Sequence, residues 1–179
     1  MVIETEHVSK AAWRLRVILA VVAVCHVIAV VALTILVLRD PETMGATLAT
    51  WAGYSEAVRL SWQTFGLLGI ACLTLLFWGV VFALAARVFG TLAQGDADTA
   101  AQQAGVLAMW FWAIFVWALA EPAATSVVST WHMPEGQRSL SIALNGQQLS
   151  LALSALIMGC MARALSLGAE LWRDHKAVV

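Results

Sequence analysis

The chain has 179 residues, of which 61% are hydrophobic and 12% charged, with net charge -1 and mean hydropathy +0.84. Water-soluble domains run about 45–50% apolar and about 25% charged, and one of this size lacks the interior to hide so much apolar surface. A soluble fold, a disordered chain and a nucleic-acid binder are therefore excluded as first readings, since no basic stretch exceeds a few residues. The bilayer is the solvent that fits.

Four apolar stretches carry this composition. The first, Val17 to Leu38, is uncharged over about 22 residues, roughly 33 Å of helix against a hydrocarbon core of about 30 Å. Lys10, Arg14 and Arg16 precede it as they would a signal peptide. Its apolar run exceeds a signal core, however, and it ends in Leu38-Arg39-Asp40-Pro41 without a small-x-small cleavage site, so it reads as a retained anchor. The second stretch runs from about Trp62 to Ala86 and is closed by Arg87. A third covers about 105–130 and contains Glu121-Pro122; the fourth covers about 146–167, with Arg163 its only charge. Lipid offers no partner to backbone N–H and C=O groups, so each span must be helical. The expected fold is a single all-α membrane domain over 1–179, a bundle of four transmembrane helices.

Orientation follows from the basic residues. Lys10, Arg14, Arg16, Arg87, Arg163, Arg173 and Lys176 fall on one side, and Arg39, Arg59 and Arg138 on the other. The positive-inside rule then places both termini in the cytoplasm.

The connections have their own patterns. Between Arg39 and Ser61, the residues Met44, Leu48, Trp51, Ser55 and Val58 share one helical face, which predicts a short amphipathic helix at the outer interface. Gly95-Asp96-Ala97-Asp98-Thr99 reads as a helix end at Gly95 followed by an aspartate cap; capping outweighs a metal site, because hard cations need six or more oxygens. The alternation of Ser139 to Leu144 predicts a short outer strand, after which Asn145 caps the fourth helix with Gln148 three positions on.

Some residues in these spans invite chemistry. Trp13, Trp172, Trp51, Trp62 and Trp131 form the aromatic belts of a spanning protein. Trp78, Trp110, Trp112 and Trp117 lie deeper beside Phe77, Phe111 and Phe115, where lipid and helix packing outweighs a pocket for quinone, pigment or lipid. His26 is mid-membrane and reads as a neutral, hydrogen-bonded residue; a haem would need a second histidine at that depth, and His7, His132 and His175 lie elsewhere.

Glu121 falls roughly 5 Å from the midpoint of its span, where a lone carboxylate costs about 2.5–3.5 kcal/mol. Pro122 removes a backbone hydrogen bond beside it, leaving carbonyls for Thr125, Ser126 or water. A kinked packing point is the plainer reading; a proton or cation site with His26 or Arg59 as partner is the sharper one.

Gly66, Gly69 and Gly79 in the second span, with Ala155 and Gly159 in the fourth, mark faces where helices can approach closely. Cys25, Cys72 and Cys160 read as small packing residues. No phosphate-binding glycine loop, His-Glu-x-x-His helix or paired-cysteine motif is present, and no nucleophile–base pair can be placed. The reading is therefore of no enzyme, no metal and no cofactor, with the lipid bilayer and a membrane-protein partner or second copy as the expected associates.

Pro134-Glu135-Gly136-Gln137-Arg138, the Ser139 to Leu144 run, Arg163 to Leu171 and the closing Trp172 to Val179 together resemble one bacterial family. Its members are small four-span inner-membrane proteins with a domain of unknown function, often encoded beside a helix-turn-helix regulator. The resemblance covers about 87–179 and implies a four-span, non-enzymatic protein with no catalytic residues to carry over. The family's Gly-acidic-x-Phe run and basic helix are missing here, since Gly95-Asp96 is followed by Ala97-Asp98-Thr99-Ala100.

Overall fold

A computed structural model describes residues 2–53, 61–142 and 146–177. Five helices account for nearly all of them: α1 (Val2–Arg39), α2 (Pro41–Trp51), α3 (Ser61–Ala93), α4 (Ala97–Thr130) and α5 (Gly146–Ala177). Segments of α1, α3, α4 and α5 are long and apolar enough to cross a membrane. At 38 residues, α1 extends to roughly 57 Å, so its first turns continue well beyond the apolar run that begins at Val17.

Each long helix packs extensively only on its neighbours in the chain: α1 on α3, α3 on α4, and α4 on α5. The bundle is thus an open row, with α1 and α5 on its flanks. Val81, Val88, Leu107, Ile114 and Leu151 are buried where α3, α4 and α5 meet. A second core of Val37, Leu48, Ala49, Leu67 and Ala71 seals α2 against α1 and α3. Outward faces remain apolar, as Ile18, Val24 and Ile28 on α1 and Leu153, Leu156 and Met161 on α5 illustrate. Such surface suits lipid.

The turns follow local chemistry. Gly95 adopts φ 78°, the left-handed conformation that a side chain would disfavour, and ends the α3 turn. Asp96 then caps α4, its carboxylate accepting from Thr99 N–H at 3.0 Å. Asp40 does the same for α2 through Thr43 at 3.1 Å, with Pro41 in the first turn. A hydrogen bond from Ser9 Oγ to the Ala93 carbonyl, 3.1 Å, ties the start of α1 to the end of α3.

Some expectations change. α2 occupies Pro41–Trp51, and it buries Gly45, Leu48 and Ala49, whereas Trp51 is exposed; Ser55 and Val58 lie outside the described residues. No strand forms among the described residues, and 139–142 are irregular. The reason lies in the donors: Ser139 N–H goes to Thr130 Oγ1 at 3.2 Å and Ser141 N–H to Ser126 Oγ at 3.1 Å. Hydroxyls of α4 take the bonds a partner strand would have taken. Asn145 falls outside the described residues. Cys72 packs between helices, but Cys25 and Cys160 are exposed, so they fill no space inside the chain.

The caps predict a pH effect. Hydrogen bonds from Thr43 and Thr99 hold the Asp40 and Asp96 carboxyls below the ordinary aspartate range. Their contribution is complete above the unfolded value of about 4 and is lost as pH falls through the lower folded value. In detergent, the thermal midpoint should drop less steeply below about pH 4 in Asp40→Asn/Asp96→Asn than in the native chain.

Candidate functional site

Helix α4 runs through Pro122, which has no N–H to give the carbonyl of Ala118. In an apolar surrounding that carbonyl needs another donor. Gln148, buried in the first turn of α5, supplies it: Nε2 donates to Ala118 O at 3.1 Å. Thr125 and Ser126 do not serve the break. Side chains on a helix lean toward its N-terminus and reach the carbonyl three or four residues back. Thr125 therefore donates to Glu121 O at 2.7 Å and Ser126 to Ala123 O at 2.9 Å, both beyond Ala118.

Glu121 sits one residue before the proline and one turn after Trp117, on the side of α4 that meets α3. Thr74 Oγ1 lies 3.2 Å from Glu121 Oε1 and 3.1 Å from the Ile70 carbonyl, and accepts the Trp117 indole N–H at 2.9 Å. With one proton to give, the hydroxyl serves either the carboxyl or its own helix, while Trp117 fixes its lone pair. Glu121 also lines a cavity of about 270 Å³ together with Trp51, Pro122, Thr125, Ser141 and Gln148. One carboxyl, two hydroxyls and the amides of Gln147 and Gln148 line it. That set can hold a small cationic or hydrogen-bonding solute, or relay a proton to one.

His26 does not belong to this site. Its Nδ1–H donates to the Val22 carbonyl at 2.8 Å, and its ring lies 5.2 Å from that of Phe82. It packs where a Cβ on Gly79 would come within 3.3 Å of its own Cβ. Thr74 and Gly79 are five residues apart, about 140° around α3, so His26 and Glu121 stand on different sides of that helix. Arg59 lies outside the described residues.

Compared with protein-family models, curated proteins and solved structures, the chain matches none. The site therefore stands on its own geometry.

The remaining candidates divide. A Cβ on Gly66 would press on Val128 at 2.8 Å, so that glycine lets α3 approach α4; Gly79 does the same for α1, and Ala155 is buried. Gly69 and Gly159 have nothing within 4 Å of a built Cβ and make no close helix contact. The deep aromatic rings pack on one another, with Phe77 5.8 Å from Trp110 and 5.9 Å from Trp117. They do not line the Glu121 cavity.

Gln63 and Thr74 escaped the sequence reading, and Gln148 entered it only as the capping partner of Asn145. Gln148 had a readable signal, because Pro122 demands a donor and an amide opens the next span. Gln63 gave none beyond its place at a helix start. It is fully buried, and its Nε2 donates to His132 Nδ1 at 2.6 Å and to the Val128 carbonyl at 3.1 Å, joining α3 to the end of α4. Ser129 Oγ is buried nearby without a partner.

The proline break predicts a suppressor. Gln148→Leu leaves the Ala118 carbonyl unsatisfied and should cost about 1–3 kcal/mol in reversible unfolding from detergent micelles. Pro122→Ala restores the missing N–H, so the same Gln148→Leu change should cost clearly less in that background.

Proposed function

We propose that this chain is a non-enzymatic integral protein of the bacterial inner membrane, both termini cytoplasmic, acting as a regulatory or accessory subunit through helix packing. The observation that carries this reading is Gly69. It lies exposed on α3 in a stripe with Trp62, Phe65, Leu73 and Leu76, and nothing stands over it. A glycine among large side chains makes a notch that lipid tails fill loosely and a partner helix fills closely. The open row adds to this, since its outward faces leave room for a partner or a second copy.

Gly69→Leu fills the notch and raises helix propensity, so it should leave the monomer at least as stable. Copurification in a mild detergent should recover a stable partner or self-complex with the native chain and lose it with Gly69→Leu. If the native chain brings down nothing and stays monomeric, the reading is wrong.

A second reading has its own observation, the polar cavity at Glu121. Here the protein is a small transporter, or a proton- or cation-conducting oligomer, with Glu121 and Pro122 at the conducting point. His26 drops out, because α3 separates it from that cavity. In reconstituted vesicles, Glu121→Gln should abolish a proton or cation leak that the native chain supports. Equal leak from both would count against conduction. Binding of quinone, pigment or lipid at the deep aromatic cluster is left without an observation that favours it.

A further inference from the structure

Arg16 and Arg87 stand where the apolar runs of α1 and α3 stop. The two helices are antiparallel neighbours, so these residues reach the same end of the row and line one cavity of about 440 Å³. A Cβ on buried Gly90 would meet Arg16 Cδ at 3.1 Å and Nε at 3.2 Å. The absent side chain is what lets the arginine stem lie across α3. Neither guanidinium has a carboxylate partner among the described residues, and no acidic side chain lines the cavity.

The lining has two halves. Thr91 and Gln94 stand beside the arginines on one side. Ala20, Ala23, Val24 and Ala83 form the other, within the apolar runs. A neighbouring cavity of about 430 Å³ continues past Arg16 toward Arg14 and the exposed Trp13. Arg16 and Arg87 alone form the cationic rim of the 440 Å³ cavity, at the edge of the apolar belt and above a shallow groove of small residues.

We propose that this cleft binds the phosphate headgroup of an anionic phospholipid, with Arg16 and Arg87 as its ligands. Guanidinium forks match phosphate oxygens in geometry as well as charge. The alanine groove takes one acyl chain, a contact that free phosphate cannot make. With no carboxylate in the lining, a choline or ethanolamine ammonium finds no counter-charge, so a headgroup with net negative charge is preferred. The assignment requires that α1 and α3 span a bilayer and is independent of any protein partner.

The full chain, delipidated in an uncharged detergent, is titrated with phosphatidylglycerol, phosphatidylcholine or inorganic phosphate. Lipid adducts are counted by native mass spectrometry and the thermal midpoint is followed in parallel. Phosphatidylglycerol should be retained and raise the midpoint, with phosphatidylcholine and inorganic phosphate doing neither. Arg16→Gln/Arg87→Gln should weaken phosphatidylglycerol retention by about tenfold or more, with an unchanged helical circular dichroism spectrum. Arg14→Gln removes a charge outside the 440 Å³ cavity, and Arg138→Gln one at the opposite end; both should bind as the native chain does. Equal retention of the two lipids, full retention by the double variant, or an equal shift with inorganic phosphate would overturn the assignment. So would an Arg14→Gln loss as large as that of Arg16→Gln, which would mean diffuse charge.

Discussion

A backbone carbonyl or N–H in an apolar surrounding needs a partner, and that requirement organises most of this protein. It makes the long segments helical, since a helix satisfies its backbone from within. Where the helix rule fails, at Pro122, the missing donor comes from Gln148 and so stitches α5 to α4. Where the chain leaves α4, the N–H groups of Ser139 and Ser141 return to hydroxyls on that helix. The polar end of the row is built from these repairs, and the Glu121 cavity lies among them.

The rest of the packing is decided by size. Gly66, Gly79 and Gly90 stand where α3 meets Val128, His26 and Arg16 in turn, so one helix accepts neighbours on several sides. That makes α3 the spine of the row. The apolar faces of α1 and α5 are left to lipid or to another protein, and the two ends differ in chemistry. One gathers arginines around a groove of alanines, and the other gathers a carboxyl, hydroxyls and amides.

Much was readable from residues that act alone or through near neighbours. Apolar length marks the spans, and Gly95-Asp96 marks the turn, because a left-handed glycine and an aspartate cap need only the chain beside them. The strand expected over Ser139–Leu144 rested on alternation, but alternation says nothing about which acceptor meets each N–H. Thr125 and Ser126 were plausible donors to the broken helix until side-chain direction ruled them out. Cys25 and Cys160 looked like packing residues because depth in an apolar run does not reveal which side faces a neighbour.

By itself the sequence determined four apolar helices, the turn and cap at Gly95-Asp96, and the few polar residues that composition could not explain. Each of these depends on short-range sterics, hydrogen bonding and transfer from water. Only the tertiary structure decided that Glu121 meets Thr74 and a polar cavity, that His26 faces away from it, and that Arg16 and Arg87 share a cleft. Those pairings depend on the rotation of each helix about its axis. Small residues and interhelical hydrogen bonds fix that rotation across the row, and an apolar sequence carries almost no periodic signal for it.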